Sequence, residues 1–258
     1  MTDWSKLRTP GQQNSTRASG LRPDDRTAPD SQGAFSFTGV NSSSIIFGDA
    51  DGNAHSHVKC NNLLWGSHDR KAVFEVTLGG SPAIAKCFAD EEHERSEPTH
   101  FKMSLGSSLC KFIFSFIEEA SVYEKLREKQ PNGYRVLPSL LGYGKVTCSS
   151  VFPSGHVLLI SKAPGEILST IWDDLLIAER RHIYDECRTA VSIIRSVNLV
   201  NLDAGKHNII YDRTSGGVKM IDFETVKYTP DTRLRANASE LVAIFGRSFA
   251  RDRANAGG

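Results

Sequence analysis

Alternation of apolar and polar residues predicts β-strands in the first half of the chain. Ala72, Phe74 and Val76 occupy every second position of "KAVFEVTL", so one face of this strand is expected to be covered. The segments "NNLLWG" and "SPAIAKCF" predict further strands, and "SIIFGDADGNAHSHVKC" predicts two short strands around a polar turn. The intervening "GSHDR" and "GGSP" are short enough for hairpin turns. This part of the chain therefore predicts an antiparallel sheet.

Helical spacing dominates the later part of the chain. A helix is predicted over Leu109–Lys129, and it should end before Pro131. The segments "RVLPSLLGYGKVTC" and "GHVLLISKAPG" predict two more strands. Trp172–Val197 predicts mostly helix, broken near Ile177, and the last predicted helix lies in "ASELVAIFGRSFARD".

The hydrophobic pattern also predicts where the folded part begins. Residues 1–42 are rich in polar residues, glycine and proline and contain few apolar ones, so they are expected to form a disordered tail. Residues 43–160 form a mainly β part, and residues 161–258 a mainly helical part. The prediction is a tail followed by two structured regions.

Composition narrows the class of protein. Charged residues make up 24% and hydrophobic residues 39%, which is typical of a globular protein, and the formal net charge of +1 gives no reason to expect nucleic-acid binding. Five scattered cysteines without a CxxC pair favour reduced thiols in an intracellular protein. The N-terminus lacks the apolar stretch of a signal peptide, and "FIFSFI" is too short to span a membrane. We expect a cytoplasmic or nuclear protein without a membrane partner.

A polar cluster surrounds a predicted hairpin in "NLDAGKHNIIYDRTSGGVKMIDFE". Asp203 and Asn208 could simply be loop formers, since both residue types bond to nearby backbone. Asp222, however, ends an apolar strand, where an unpaired carboxylate would be costly. A Mg²⁺ ion, which prefers carboxylate and amide oxygens together with phosphate and water, would explain this pattern. Asn208 and Asp222 are thus predicted metal ligands, which leaves Asp203 to orient a hydroxyl and accept its proton.

The spacing of this cluster resembles a known superfamily. Asp-x-x-x-x-Asn, an apolar strand, a turn and Asp-Phe are similar to the catalytic and metal-binding loops of protein-kinase-like proteins, including aminoglycoside- and choline-kinase-like members and atypical minimal kinases. The resemblance implies an α+β, two-lobed fold. Residues 43–160 would form an N-lobe with an antiparallel β-sheet and one helix, and residues 161–258 a reduced helical C-lobe.

Upstream elements occur in the order that the resemblance implies. Lys86 ends the strand "SPAIAKCF" at the place of the lysine that binds the α- and β-phosphates. Glu119 stands four residues before Tyr123 in "EEASVY" and is preferred over Glu118 as the partner of Lys86. The alternatives are a lysine on a solvated strand edge and a glutamate on a helix surface.

Two further segments complete the resemblance. "LLWGSHDRKAVFEV" lies where a glycine-rich loop would cover the phosphates, but only Gly66 remains for that role. "LLISKAPGEIL" resembles the hinge between lobes. The Ser161 carbonyl and the Ala163 N–H would there meet the adenine edge.

The chain departs from the family pattern at several positions. Asn201 and Leu202 replace the usual His and Arg, which removes the docking group for a phosphorylated loop and is expected to weaken the packing of the catalytic loop. Glu224 replaces the glycine after Asp-Phe, as in small-molecule kinase relatives. The chain is short after Asp222, which implies no platform for peptide substrates.

Two other segments resemble metal-binding motifs but lack required residues. "GDADGNAHSHVKC" begins like a calcium loop, but Ala54 and Cys60 stand where Gly and Glu are required. His55, His57 and Cys60 are three zinc donors without a second cluster. A polar hairpin tip is the preferred interpretation.

The sequence thus predicts an ATP- and Mg²⁺-dependent phosphotransferase that moves the γ-phosphoryl group to a hydroxyl of a small molecule or protein. One alternative is a pseudokinase that binds nucleotide or acts as a scaffold without turnover. The other is an α+β binding protein unrelated to kinases. The sequence predicts neither the acceptor nor the oligomeric state.

Overall fold

Six antiparallel strands form a closed barrel in the first part of the protein. The structure is a computed structural model, and it describes residues 44–48, 56–66, 70–89, 109–152, 154–235 and 238–250. The barrel strands are β1 (Ser44–Gly48), β2 (Ser56–Gly66), β3 (Lys71–Leu78), β4 (Ser81–Phe88), β5 (Leu140–Ser149) and β6 (Gly155–Ser161). Their order around the barrel is β1-β2-β3-β4-β6-β5. The predicted tail (residues 1–42) lies outside the described residues.

Closure of this sheet contradicts the expected fold class. The predicted two-lobed, kinase-like fold has an open antiparallel sheet in its N-lobe, whereas here β1 pairs with strands on both of its sides. Ile45 lies opposite Val58 of β2 and also opposite Ser149 of β5. The two-lobed prediction was wrong because the local pattern identifies β1 as a strand but does not reveal its second partner. A closed barrel leaves no free edge on either flank.

The alternation predicted for β3 is confirmed. Ala72, Phe74 and Val76 are buried inside the barrel, at 0–2% exposure, whereas Lys71 and Glu75 lie on the outer face. One expectation for β2 was wrong, because the two predicted strands form one continuous strand. Irregularities in its pairing with β3, between residues 60 and 62 and between 63 and 65, let this strand change course without ending.

The helices follow the sequence pattern closely. The structure has α1 (Leu109–Lys129), α2 (Leu168–Ile171), α3 (Ile177–Ser196) and α4 (Ser239–Phe245). The predicted bounds of α1 are confirmed, and so is the break near Ile177, where a 3₁₀ turn (Trp172–Asp174) precedes α3. The last predicted helix is interrupted: α4 ends at Phe245, Gly246 follows with a φ of +83°, and helical structure resumes over residues 247–250. None of the helices in the described ranges is both long and apolar enough to cross a membrane.

Five short strands follow the barrel, so this part of the chain is not purely helical. They are β7 (Glu166–Ile167), β8 (Leu199–Asn201), β9 (Ile209–Asp212), β10 (Gly217–Met220) and β11 (Val226–Tyr228). Strands β9 and β10 form the predicted hairpin, with Ile209 opposite Met220. Strand β7 extends this hairpin to three strands, and β8 pairs with β11.

Apolar residues form two separate cores. One fills the barrel and includes Phe47 and Phe74. The larger core lies against the outer face of the barrel and joins α1 to the later elements, with Phe88, Tyr123 and Phe223 at its centre. The Tyr123 and Phe223 rings meet edge to face, with centroids 5.5 Å apart. The second core thus brings the outer face of β4, the helix α1 and the segment after β10 together, and the candidate site lies there. The predicted boundary at residue 160 stays a prediction.

Candidate functional site

Lys86 projects from the outer face of β4 into the larger core. Its neighbours Ala85 and Cys87 point into the barrel, so strand alternation turns Lys86 the other way. The Lys86 Nζ atom lies 2.7 Å from Oε1 and 3.0 Å from Oε2 of Glu119. Lys86 is 6% exposed and Glu119 is 0% exposed, whereas the adjacent Glu118 is exposed. The structure therefore joins the two residues that the sequence pattern paired, in a buried contact and not on a surface.

The Glu119 carboxylate on α1 lies beside the Phe223 backbone and the Tyr123 side chain. The backbone N–H of Phe223 donates to its Oε1 atom at 3.4 Å. One turn further along α1, the hydroxyl of Tyr123 is buried and has no hydrogen-bond partner among the described residues. Burial, followed by the charges of Glu119 and Asp222, raises the pKa of Tyr123 well above its usual value. The phenol is therefore neutral beside a charged cluster.

Asp222 reaches the same ammonium group from the segment after β10. Its Oδ1 atom lies 2.9 Å from Lys86 Nζ. Its φ angle is +65°, a left-handed conformation that few residues other than glycine adopt. Such a backbone persists where surrounding contacts enforce it, and it is concentrated at functional sites. Lys86, Glu119 and Asp222 come from three distant parts of the sequence and meet at one point.

Glu224 and Lys71 also belong to this cluster, and the sequence analysis did not assign them to it. Glu224 Oε1 accepts from Lys71 Nζ and lies 3.5 Å from Lys86 Nζ. One oxygen of each of Glu119, Asp222 and Glu224 lies within 4.8 Å of the others. Alternation in β3 indicated that Lys71 lies on the outer face of the strand. It could not indicate that Lys71 lies near Lys86, because this also requires β3 to pair with β4.

Burial and the neighbouring charges both shift the pKa values of the ionisable groups in this cluster. Burial raises the pKa of Glu119, and the Asp222 and Glu224 carboxylates add to this, so that the value reaches about 7 against the opposing effect of Lys86. Burial alone would also raise the pKa of Asp222, but the charge and hydrogen bond of Lys86, together with the Lys71 charge and the Glu224 backbone N–H, hold this pKa below its usual value. For Lys86, burial lowers the pKa, yet the three carboxylates together raise it. The lysine is therefore charged at neutral pH.

Asp203 lies in a loop beside this cluster, with 56% of its side chain exposed. Its backbone N–H donates to Asn201 Oδ1 at 2.9 Å, and Asn201 Nδ2 donates to the backbone carbonyl of Asp222 at 3.2 Å. Asn201 is 2% exposed. The sequence analysis expected the loss of a histidine here to weaken the loop. That effect stays a prediction, and in the structure the buried amide of Asn201 ties the loop of Asp203 to Asp222.

Asn208 ends the 3₁₀ turn Lys206–Asn208, immediately before β9. Its Nδ2 atom donates to the backbone carbonyl of Asp203 at 2.9 Å and to Asp203 Oδ2 at 3.2 Å. The Ile221 N–H donates to the Asn208 carbonyl, which places Asn208 next to Asp222 across the base of the hairpin. The side-chain oxygen of Asn208, which these bonds do not use, is a hard oxygen donor on a residue whose backbone carbonyl pairs with the residue before Asp222.

The remaining predicted residues, Gly66, Ser161 and Ala163, lie at the end of a barrel strand or just after it. Gly66 ends β2 with φ +91°, and a Cβ there would lie 2.0 Å from the Lys71 carbonyl oxygen. Ser161 ends β6, and its Oγ atom accepts from the Ser139 N–H at 2.9 Å. Ala163 follows in an irregular, half-buried segment. Nucleotide contacts at these three positions stay predictions.

The alternative metal motif does not form a donor set in the described residues. His57 is exposed on β2, whereas Cys60 is 8% exposed and lies among the residues of the barrel core. Burial raises the pKa of Cys60 to about 11, which disfavours the thiolate that zinc needs. Residues 49–55, which include the calcium-like segment and His55, lie outside the described part of the chain.

Comparisons with known proteins do not assign this chain to a family. Neither the protein-family models nor the curated proteins contain a match to its sequence.

Proposed function

We propose that the protein is an ATP- and Mg²⁺-dependent phosphotransferase that moves the γ-phosphoryl group of ATP to a hydroxyl of a small molecule or protein. One observation carries the proposal. A buried lysine, Lys86, is held by Glu119 at 2.7 Å and by Asp222 at 2.9 Å. A buried ammonium beside a partly exposed carboxylate supplies the positive charge and the hard oxygen ligand that phosphoryl transfer uses.

Lys86 is the phosphate-binding group in this proposal, and Glu119 is its positioning residue. Both carboxylate oxygens of Glu119 accept from the lysine, which restricts its Nζ atom to a narrow region. Two bonds to one partner fix orientation better than one. Because Glu119 itself is fully buried on α1, the lysine is oriented before any ligand binds.

Asn208 and Asp222 fit the ligands of a magnesium ion. They provide one amide oxygen and one carboxylate, the pairing that commonly leaves room for phosphate and water. Asp222 keeps 32% of its side chain exposed, so it is accessible although Lys86 contacts one of its oxygens. When bound, the ion would neutralise charge on the phosphates.

Asp203 is the proposed base and is accessible to an acceptor. Its loop is tied to Asn201 and Asn208, yet its side chain is 56% exposed. The acceptor hydroxyl oxygen forms a bond to the γ-phosphorus while the bond from that phosphorus to the bridging oxygen of ADP breaks. The hydroxyl proton passes to Asp203, and ADP leaves.

ADP formation tests this proposal. Purified protein is incubated with ATP and Mg²⁺ and with mixtures of small hydroxyl compounds or protein extracts, and ADP is measured over time. Asp203→Asn should lower the rate by about two orders of magnitude or more, as expected for loss of a general base. Asp212→Asn is the matched control, because Asp212 lies at the opposite end of the same hairpin and its carboxylate bonds to its own turn, through Thr214 and Ser215. Equal rates for Asp203→Asn and wild type would contradict the proposal.

The second candidate is nucleotide binding without turnover, and one contact favours it. Glu224 Oε1 contacts both Lys71 and Lys86, so this carboxylate competes with the phosphates for the two lysines and would keep a bound nucleotide out of the position that turnover needs. A protein of this class would show ATP-dependent thermal stabilisation with no difference in ADP formation between wild type and Asp203→Asn. The absence of thermal stabilisation by ATP, with or without Mg²⁺, would exclude both candidates.

A further inference from the structure

We propose that Lys71 is a second phosphate-binding residue of this site, and that nucleotide phosphate takes the place of Glu224 between Lys71 and Lys86. The inference rests on the proposed nucleotide-binding function. It adds to that function a residue to which the sequence pattern gave no role.

The strand register places the two lysines on one surface. Strands β3 and β4 are antiparallel, and Val73 lies directly opposite Lys86. Lys71 is two residues before Val73, so it occupies the diagonal position on the same outer face. Residues at diagonal positions are within reach of long side chains, and both ammonium groups can therefore point at one ligand.

The two ammonium groups already share one ligand atom. Glu224 Oε1 accepts from Lys71 Nζ and lies 3.5 Å from Lys86 Nζ. A carboxylate oxygen between two lysines stands in for a phosphate oxygen, since both carry negative charge and accept hydrogen bonds. The side chains of Lys71 and Glu224 are 14% and 18% exposed, so a ligand can reach them.

Aromatic rings hold Lys71 in place independently of Glu224. Its Nζ atom lies 5.3 Å from the centroid of the Trp65 ring and 5.6 Å from that of Phe88. Cations are attracted to such ring faces at distances up to about 6 Å. Lys71 can therefore release Glu224 and stay in position for another anion.

Lys71 would also compensate for the small number of glycines in the segment that is predicted to cover the phosphates. Backbone N–H groups of several glycines usually approach the phosphates, and here only Gly66 is present in "LLWGSHDRKAVFEV". The Gly66 backbone packs against the carbonyl of Lys71 itself. The ammonium of Lys71, which lies in the same segment, would thus supply positive charge that a glycine-rich loop would supply through its amides.

The number of phosphates on the ligand distinguishes this role from a structural one. Binding of ATP, ADP and adenosine in the presence of Mg²⁺ is measured by calorimetry for wild type, Lys71→Ala and Lys71→Arg. Lys71→Ala should weaken ATP binding at least about tenfold, the scale of one charge-assisted hydrogen bond, and should leave adenosine binding unchanged. Lys71→Arg should restore most of the ATP affinity. Lys59→Ala removes an exposed lysine from β2 and should change neither affinity.

Glu224→Gln provides a test in the opposite direction. Removing the competing charge should strengthen ATP binding, whereas a purely structural contact between Lys71 and Glu224 would make both variants bind more weakly. A Glu224→Gln protein that binds ATP no more tightly than wild type would overturn the displacement. Equal losses of ATP and adenosine affinity in Lys71→Ala would overturn the role of Lys71 and leave the proposed function intact. If wild type binds neither ATP nor adenosine, the proposed function and this inference fall together.

Discussion

Lys86 and Glu119 form an ion pair with Nζ 2.7 Å from Oε1, in which the glutamate has no exposed surface. Removing one member of a buried pair leaves the other without compensation, at a cost of about 3–5 kcal/mol. We therefore expect Lys86→Met to lower the free energy of unfolding by about that amount at pH 8, measured by urea denaturation. Lys162→Met is the control, because the 2.6 Å pair of Lys162 with Glu75 lies nearer the surface and should contribute about 1 kcal/mol or less. Equal costs for the two variants would contradict this account.

Stability should also depend on pH through Glu119. Its pKa is raised from 4.5 to about 7. Between these values the folded protein retains a proton that the unfolded chain has released. The resulting stabilisation is complete below about pH 4.5 and is lost as the pH rises through about 7.

The Glu119→Gln variant isolates this effect, since glutamine does not titrate. The unfolding free energy of wild type minus that of the variant should fall as the pH rises from 4.5 to 7. The depressed pKa of Asp222 acts with the opposite sign, but Asp222 is present in both proteins. A difference that stays constant or increases over this range, in denaturation at several pH values, would show that the pKa of Glu119 is not raised.

Asn201 should affect turnover more than nucleotide binding. Its side chain links the Asp203 N–H to the Asp222 carbonyl, so Asn201→Ala frees the loop of the proposed base without removing a proposed ligand. We expect kcat to fall at least about tenfold, because small displacements of a catalytic group are costly, while KM for ATP changes less. Steady-state kinetics provide the test.

Asn198 offers a matched control near the other end of β8. Its Nδ2 atom donates to the Thr229 carbonyl at 3.3 Å, and its φ is +66°. Asn198→Gly keeps this left-handed backbone accessible and removes a comparable amide–carbonyl bond. The control should leave kcat unchanged. A similar fall in kcat for both variants would mean that the two losses act through general destabilisation.

Gly66 should be sensitive to substitution for a backbone reason. A Cβ at this position would meet the Lys71 carbonyl oxygen at 2.0 Å, and φ is +91°. Gly79 also has a positive φ, of +55°, but a Cβ there would meet nothing within 4 Å. Gly79→Ala should therefore cost about 1 kcal/mol, the strain of a left-handed residue, and Gly66→Ala clearly more. Thermal or urea unfolding compares them, and equal costs would disprove the close approach.

Local pattern predicted several of the helices and strands. The apolar spacing that ends before Pro131 determined the bounds of α1, and alternation on both sides of a turn determined the β9–β10 hairpin. The resemblance to protein-kinase-like motifs selected Lys86 and Glu119 in addition to Asp222, and the structure brings these three residues together. The helix bounds and the hairpin depend on neighbours within a few residues along the chain, whereas Lys86, Glu119 and Asp222 lie far apart in the sequence and are brought together only by the fold.

Long-range pairing was decided only by the tertiary structure. The closing contact of β1 with β5, where Ile45 meets Ser149, overturned the predicted fold class. The sharing of Glu224 between Lys71 and Lys86, and the bridge from Asn201 to Asp222, likewise depend on segments far apart in the chain. Alternation specifies the two faces of a strand but not its partner, because partner choice depends on the packing of the whole core. The sequence by itself thus determined most of the helices and strands and named the candidate site residues, whereas the fold determined which charged groups share an oxygen.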